Sequence, residues 1–490
     1  MEPLSGLDAR FLYSETAHAP MHTMKIAVID AAASASPFDP EAFVATLDER
    51  VRTLPPLLRR PVPMAFGMGH PVWVDDPDFA VRNHIAIRAV DPPGGDRELA
   101  RIVAEVASTP LPRDRPLWAV TLVADLADGR MAAIGKIHHS VADGAATVEM
   151  LSRVLNDHGP ANPVNPAEPG ATTAAPALPD RRGLRRVATR ARRAKVRMLP
   201  GLAAASTRNT AMTAWRRWRS PIRTAKPFDG PRTSLNVSLP SERTFAMTTL
   251  ALPDLLAVRQ ALGGTLNDAY LAVCTGALRH YFLARDEPVD RALVASVPIG
   301  VRGDNAPRTS GNRVDNMYVR LPVQLADPAA RFRAIHADAA AARELRDVMD
   351  PVIVARRVEL TPTHLYPVAL RLFAASKMAD RMRPPVNLIV SNVAGPRDRL
   401  HLGSTVLDSI FSVGPLLEGV GLNLTAWSYA GGMHVGALGS PDSLADPWAL
   451  VDRLPEALDE LVTTTSSASS NGDGTARSGR THTGHDAGSP

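Results

Sequence analysis

Residues 135–146 read GKIHHSVADGAA: two adjacent histidines, an aspartate four residues after the second, and a glycine directly behind it. An imidazole titrating near 6.5 is suited to taking a proton from a hydroxyl at neutral pH. Three readings fit this pattern. It is a polar strand end with incidental histidines, a metal site, or a general base acting on a bound hydroxyl. The metal reading is chemically poor, because His138, His139 and Asp143 share no consistent helical face and no fourth ligand is apparent. Cys274 is the single cysteine, so thiolate ligand sets and intramolecular disulfides are excluded. The base reading needs no enzyme nucleophile, and the chain contains no G-x-S-x-G elbow of the serine hydrolases.

The flanking residues decide how these side chains are presented. AIGKIHH has the pattern of a strand, and VADGAATVEMLSRVL leaves as a helix. Successive strand side chains face opposite ways. His138 and His139 therefore divide their roles, one for chemistry and one for packing or hydrogen bonding. Asp143 sits where it can lock the turn or orient a neighbour. Gly144 removes a side chain where another part of the chain comes close.

The rest of the chain supplies the scaffold. At 490 residues, with 45% hydrophobic and 21% charged residues, it has the composition of a globular protein of two or three domains. Residues 1–158 alternate strands such as MKIAVID with a helix over 96–108, so the class is α/β. Residues 159–235 form a linker, first Pro-rich and then Arg-rich. The α/β pattern resumes over 236–462, with a helix in TLNDAYLAVCTGALRHYF and strands in RALVASVPIGV, MYVRLPVQL and VNLIVSNVAG. Small and polar residues over 463–490 predict a disordered tail. The N-terminus lacks a signal-peptide pattern, and no apolar run approaches the roughly 18 residues needed to span a bilayer. A cytoplasmic location is expected.

Along this scaffold the motifs fall in a familiar order. HHSVADG resembles the HHxxxDG signature of the bacterial wax ester synthase/diacylglycerol acyltransferase family, within the CoA-dependent acyltransferase superfamily. PLSGLDARFLYSE, PMHTMKIAV, PVWVDDPDFAVRNHI, RPLW, LGGTLNDAYLAV, VPIGVR, GNRVDNMYVRLP and NLIVSNVAGP follow the family's order from residue 3 to about 455. Gly6, Ala394 and Asp315 depart from its usual residues.

The resemblance implies two chloramphenicol-acetyltransferase-like subdomains with an active-site tunnel between them. It implies acyl transfer from acyl-CoA, a co-substrate, to diacylglycerol or a long-chain alcohol, with no further cofactor. His139 matches the family's second histidine and is the expected base. His138 and Asp143 are expected to hold geometry, with Gly144 giving room and Arg302 a candidate partner for Asp143. Asn267 and Asp268 support from a helix start, where Thr265 and Asp268 have capping-box spacing. Ser391 and Asn392 are expected to donate into the tunnel. Trp118 is either core or an acyl contact. A related acyltransferase with another hydroxylated acceptor and a weakly active lipid-binding relative are the other readings.

Residues 181–226 carry fifteen Lys or Arg and no acidic residue, more than the chain's whole net charge of +5, so the remainder is net acidic. No nucleic-acid-binding motif surrounds them. Trp215 and Trp218 among arginines suit the headgroup region of an anionic membrane or lipid-droplet surface. Val187, Ala191, Ala194 and Met198 make only a thin apolar stripe, and solvation or attraction of CoA phosphates are the competing roles.

Overall fold

The structure, a computed structural model, describes residues 2–30, 39–64, 69–155, 181–219, 223–300, 308–348, 351–402 and 405–475. In chain order the first half contains β1 (Glu2–Pro3), α1 (Gly6–Ser14), β2 (His22–Asp30), α2 (Pro40–Arg52), β3 (Arg59–Val62), β4 (Val72–Asp75), β5 (Ile85–Ala89), α3 (Asp96–Ser108), β6 (Trp118–Ala124), β7 (Arg130–His138) and α4 (Gly144–Leu155). The helix α5 (Arg181–Arg219) follows. Then come β8 (Thr244–Ala251), α6 (Leu252–Leu262), α7 (Leu266–Leu283), β9 (Leu293–Gly300), β10 (Val314–Leu321), α8 (Pro328–Val348), α9 (Pro351–Glu359) and α10 (Leu365–Ala375). The chain continues through β11 (Leu388–Ala394), β12 (His401–Leu402), β13 (Thr405–Val413), β14 (Asn423–Tyr429), β15 (Gly432–Gly439), α11 (Trp448–Val451) and α12 (Arg453–Thr475).

Two six-stranded sheets carry the fold, in the orders β12-β13-β2-β7-β6-β5 and β10-β9-β11-β14-β15-β8. A small third sheet, β1-β4-β3, lies beside the first. The second sheet packs on α7, a helix buried on nearly all sides because LNDAYLAVCTGALRHYFL is apolar around its circumference. Cys274 lies inside that core.

The sheets do not follow the sequence boundary. β12 and β13, from the segment assigned to the C-terminal subdomain, complete the N-terminal sheet by pairing β13 with β2, from Leu407↔Ile29 to Val413↔Met24. β2 is buried along most of its length and would otherwise present a bare apolar edge. The halves are therefore tied by a strand as well as by the linker.

Two more expectations change. Residues 156–180, most of the Pro-rich part, lie outside the described residues. The Arg-rich part is the helix α5, anchored by Leu184 and Ala188 against Met64, Val72 and Val74. Val187 of the stripe read in the sequence packs against the same cluster, and Ala191 and Met198 are half-buried, whereas Ala194 is exposed. The tail begins as helix: α12 runs past Val462 to Thr475. There the hydroxyls of Thr464 and Ser466 bond back to the carbonyls of Glu460 and Val462, at 2.7 and 2.9 Å. Residues 476–490 lie outside the described residues.

Candidate active site

β7 lies between β2 and β6, and the ladder carries one residue beyond its end. The amide of His138 donates to Leu117 O at 2.9 Å on one side, and that of His139 to Met21 O at 2.8 Å on the other. The chain then turns sharply, with Val141 N donating to His138 O at 2.9 Å. Because the ladder still holds both residues, the histidines face opposite ways, as strand alternation requires.

His138 faces inward and is fully buried. Its Nδ1 accepts from the Ser140 amide at 3.0 Å, which leaves the proton on Nε2, 3.1 Å from Glu15 Oε2. Burial pushes the His138 pKa down, against the pull of Glu15. Burial would raise Glu15, but hydrogen bonding and charge attraction from His138 and Arg113 hold it well below the usual carboxylate range. Glu15 also accepts from Met21 N at 3.0 Å, so this network fixes the residue that pairs with His139.

His139 faces a cavity. Its ring stacks on Phe11 of α1, with centroids 4.1 Å apart and 12° between planes. Nδ1 lies 3.0 Å from Asn312 Oδ1. The identity of that oxygen follows from the other end of the amide: Asn312 Nδ2 reaches His139 O at 2.6 Å and Asp8 Oδ1 at 2.7 Å, and a carbonyl only accepts. Asn312 therefore presents an acceptor, His139 Nδ1 carries the proton, and Nε2 keeps its lone pair. No protein group among the described residues bonds that Nε2. Burial lowers the His139 pKa, with the Asn312 bond working in the opposite direction.

Asp143 is 1% exposed and makes two attachments. Oδ1 accepts from Ala146 N at 3.0 Å and so caps α4. Oδ2 accepts from Arg313 N at 2.9 Å and pairs with the guanidinium of Arg308. Arg302 lies outside the described residues; the arginine placed on Asp143 is Arg308. The segment around 308–313 is further fastened by Gly311 N to Val141 O at 2.8 Å. Gly311 adopts φ +79°, which favours glycine there. A β-carbon on Gly144 would meet Val393 of β11 at 3.2 Å, so this glycine lets the helix start approach the second sheet.

The cavity has a volume of about 690 Å³, and both halves of the chain line it. His139, Asp143, Gly144, Ser391 and Asn392 are among the residues that line it. Three other residues named from the sequence do not line it. Trp118 is a core residue, stacked on His84 at 4.3 Å with its indole N–H bonded to Leu57 O at 2.8 Å. Asp268 forms the capping box with Thr265 and is tied to His336 and Arg343 at 2.8 and 3.2 Å. Asn267 sits beside it at the start of α7, away from the cavity. Among the described residues, no group of three or more His, Cys, Asp or Glu is placed to hold a metal ion.

Asn312, Asp8, Phe11, Glu15 and Arg308 carry the geometry without having been singled out by the sequence reading. Asp8, Phe11 and Glu15 lie within or just after the opening PLSGLDARFLYSE, and Asn312 within GNRVDNMYVRLP. These stretches are separated by up to about three hundred residues, and only the fold brings them together.

The comparisons agree along the chain. Residues 4–270 match the family described as the wax ester synthase/diacylglycerol acyltransferase catalytic domain, and residues 310–462 its C-terminal domain. A Mycobacterium tuberculosis protein named as a diacylglycerol O-acyltransferase is 37% identical over 448 residues, spanning 91% of this chain and 93% of the relative. Another from the same organism is 34% identical over 465 residues, or 94% and 90%. The solved wax ester synthase/diacylglycerol acyltransferase from Marinobacter aquaeolei VT8 superposes with a TM-score of 0.63 at 26% identity, over 95% of this chain and all of that one. The first condensation domain of the CDA synthetase shares the fold, with a TM-score of 0.54 at 18% identity over 93% of this chain and 96% of its own. The chain belongs to the wax ester synthase/diacylglycerol acyltransferase family.

Proposed function

We propose that the protein transfers a long-chain acyl group from acyl-CoA to the hydroxyl of diacylglycerol, and of long-chain alcohols, with His139 Nε2 as general base. The observation that supports this is the Asn312 contact, which favours a proton on Nδ1 and a lone pair on Nε2 of a histidine that lines the cavity. The acceptor O–H donates to Nε2, and its oxygen attacks the thioester carbonyl. The carbonyl oxygen takes up negative charge and needs donors; the first turn of α4 at Gly144 and Ala145 and the side chains of Ser391 and Asn392 are the candidates lining the cavity. As the intermediate collapses, the C–S bond breaks and the imidazolium returns its proton to the leaving sulfur. The ester and free CoA result, without an acyl-enzyme. The orienting group behind His139 is a neutral amide, so it holds the ring and raises its basicity less than a carboxylate would.

Release of CoA thiol by the purified protein, with palmitoyl-CoA and a panel of diacylglycerol, long-chain alcohols and other hydroxylated lipids, tests this reading. Release dependent on diacylglycerol or an alcohol supports it. Release only with another acceptor moves the substrate, and none with any acceptor favours a lipid-binding protein.

Peripheral contact with an anionic lipid surface is part of the same proposal. No helix among the described residues is long and apolar enough to cross a membrane. α5 presents exposed Arg185, Arg186, Arg192, Arg193 and Arg197, and Trp218 is 82% exposed. α10 adds exposed Leu365, Val368 and Leu372. Its Tyr366 packs on Arg10 and Ser14 of α1, the helix whose Phe11 backs His139. Flotation with anionic vesicles is expected for the native chain and is expected to fall when those five arginines are changed to Glu; equal flotation contradicts the contact.

A further inference from the structure

Lys25 lines the same cavity as His139. Its strand β2 pairs it with Gly135 of β7 and Ser412 of β13. The register puts Lys25 on the face that carries His139, four residues after Gly135, or about 13 Å along the strand. The side chain leans toward the histidine: Nζ lies 3.4 Å from Thr23 Oγ1, one register pair closer, and 2.7 Å from Ser412 Oγ. The ring of Trp427 lies 4.7 Å from Nζ. A β-carbon on Gly135 would meet only Lys25 O, at 3.9 Å, so the floor opposite this group is open.

Lys25 is only 5% exposed, and no carboxylate pairs with it among the described residues. Burial alone pushes its pKa down to about 7. A buried ammonium without an anion is costly, and hydroxyls and an aromatic face offset only part of that cost. The hydrogen bonding is also unfinished. Nζ has a third N–H, and Ser412, whose oxygen accepts from Nζ, has its own O–H to give. Two donors and one positive charge at this end of the cavity fit a carboxylate. Arg308 and Arg313 also line the cavity, Arg308 paired with Asp143.

We propose that Lys25 and Ser412 form a carboxylate subsite in the His139 cavity, which receives the anionic far end of a substrate chain whose reacting end lies on the order of 10 Å away at His139. This rests on the acyltransferase reading and narrows its substrate class to lipids with an acid at one end. The acid is carried either by the donor, as an ω-carboxyacyl-CoA, or by the acceptor, as an ω-hydroxy fatty acid.

The full chain and its Lys25→Met and Lys25→Arg variants are compared in two arms. One arm uses a length series of acyl-CoAs with and without an ω-carboxylate, and one acceptor. The other uses palmitoyl-CoA with ω-hydroxy fatty acids against 1-alkanols of equal length. In one arm the native enzyme is expected to favour the acid at a matched length, and Lys25→Met to lower the acid-to-plain ratio of kcat/KM by about tenfold, with Lys25→Arg restoring part of it. That arm names the carrier. A ratio unchanged by Lys25→Met in both arms overturns the subsite. Calorimetry with free dicarboxylic acids reads the subsite without turnover: binding about tenfold weaker in Lys25→Met supports it, and equal binding overturns it. Absence of turnover with every pair, acid-bearing or plain, would count against the acyltransferase reading and leave the calorimetric result standing.

Discussion

At the scale of residues, the site turns on one amide. Asn312 holds its orientation because both of its N–H groups reach acceptors, Asp8 and the His139 carbonyl, and this dictates the tautomer of His139. Asn312→Ala should therefore lower kcat more than it raises KM, by about tenfold to a hundredfold, since the ring loses its fixed tautomer but the cavity keeps its walls. Steady-state kinetics checks that split. The pH dependence has a definite sign. Burial holds the His139 pKa below the usual 6.5, so the ring stays neutral and able to accept a proton until pH falls below that value. The rate should rise with pH along a limb centred below 6.5 and then level off; a limb centred above 6.5 in kcat/KM counts against His139 as the base. Asn312 was not legible as a partner because its meaning lies in a contact across the fold, whereas HHSVADG was legible because its spacing is local.

At the scale of elements, the catalytic turn is one strand end, one helix start and one clamp from elsewhere in the chain. The strand-to-helix reading of residues 131–155 matches β7 and α4, and the opposed faces of His138 and His139 followed from period two alone. The clamp was not legible. Asp143 was expected to pair with an arginine, but which arginine depends on where the segment before β10 comes to rest, and that is a matter of long-range packing. Trp118 and Asn267 show the converse: an aromatic at a strand start and a polar pair at a helix start read as scaffold before site, and their neighbours are those of scaffold. Asp143→Ala removes the α4 cap and leaves Arg308 without its carboxylate. The expected loss of stability is about 3 kcal/mol or more, visible as a lower midpoint in urea, with activity falling alongside. Retention of native stability would show that the clamp is not needed.

At the scale of the molecule, a strand from the C-terminal half completes the first sheet, residues of both halves line the cavity, and α1 links it to the exposed apolar face of α10. The α/β class was readable from periodicity. The entry of β13 into the first sheet was not, because a nine-residue strand such as TVLDSIFSV carries no mark of which sheet edge it will join. The plan makes sense if an acyl-CoA and a lipid alcohol meet at His139. The most direct test is CoA-thiol release and ester formation by the native protein and its His139→Ala variant, both shown to be folded by the same melting transition. The native protein is expected to form ester, and the variant to be slower by about a hundredfold to ten-thousandfold. A folded His139→Ala protein within a few-fold of the native rate would contradict the account.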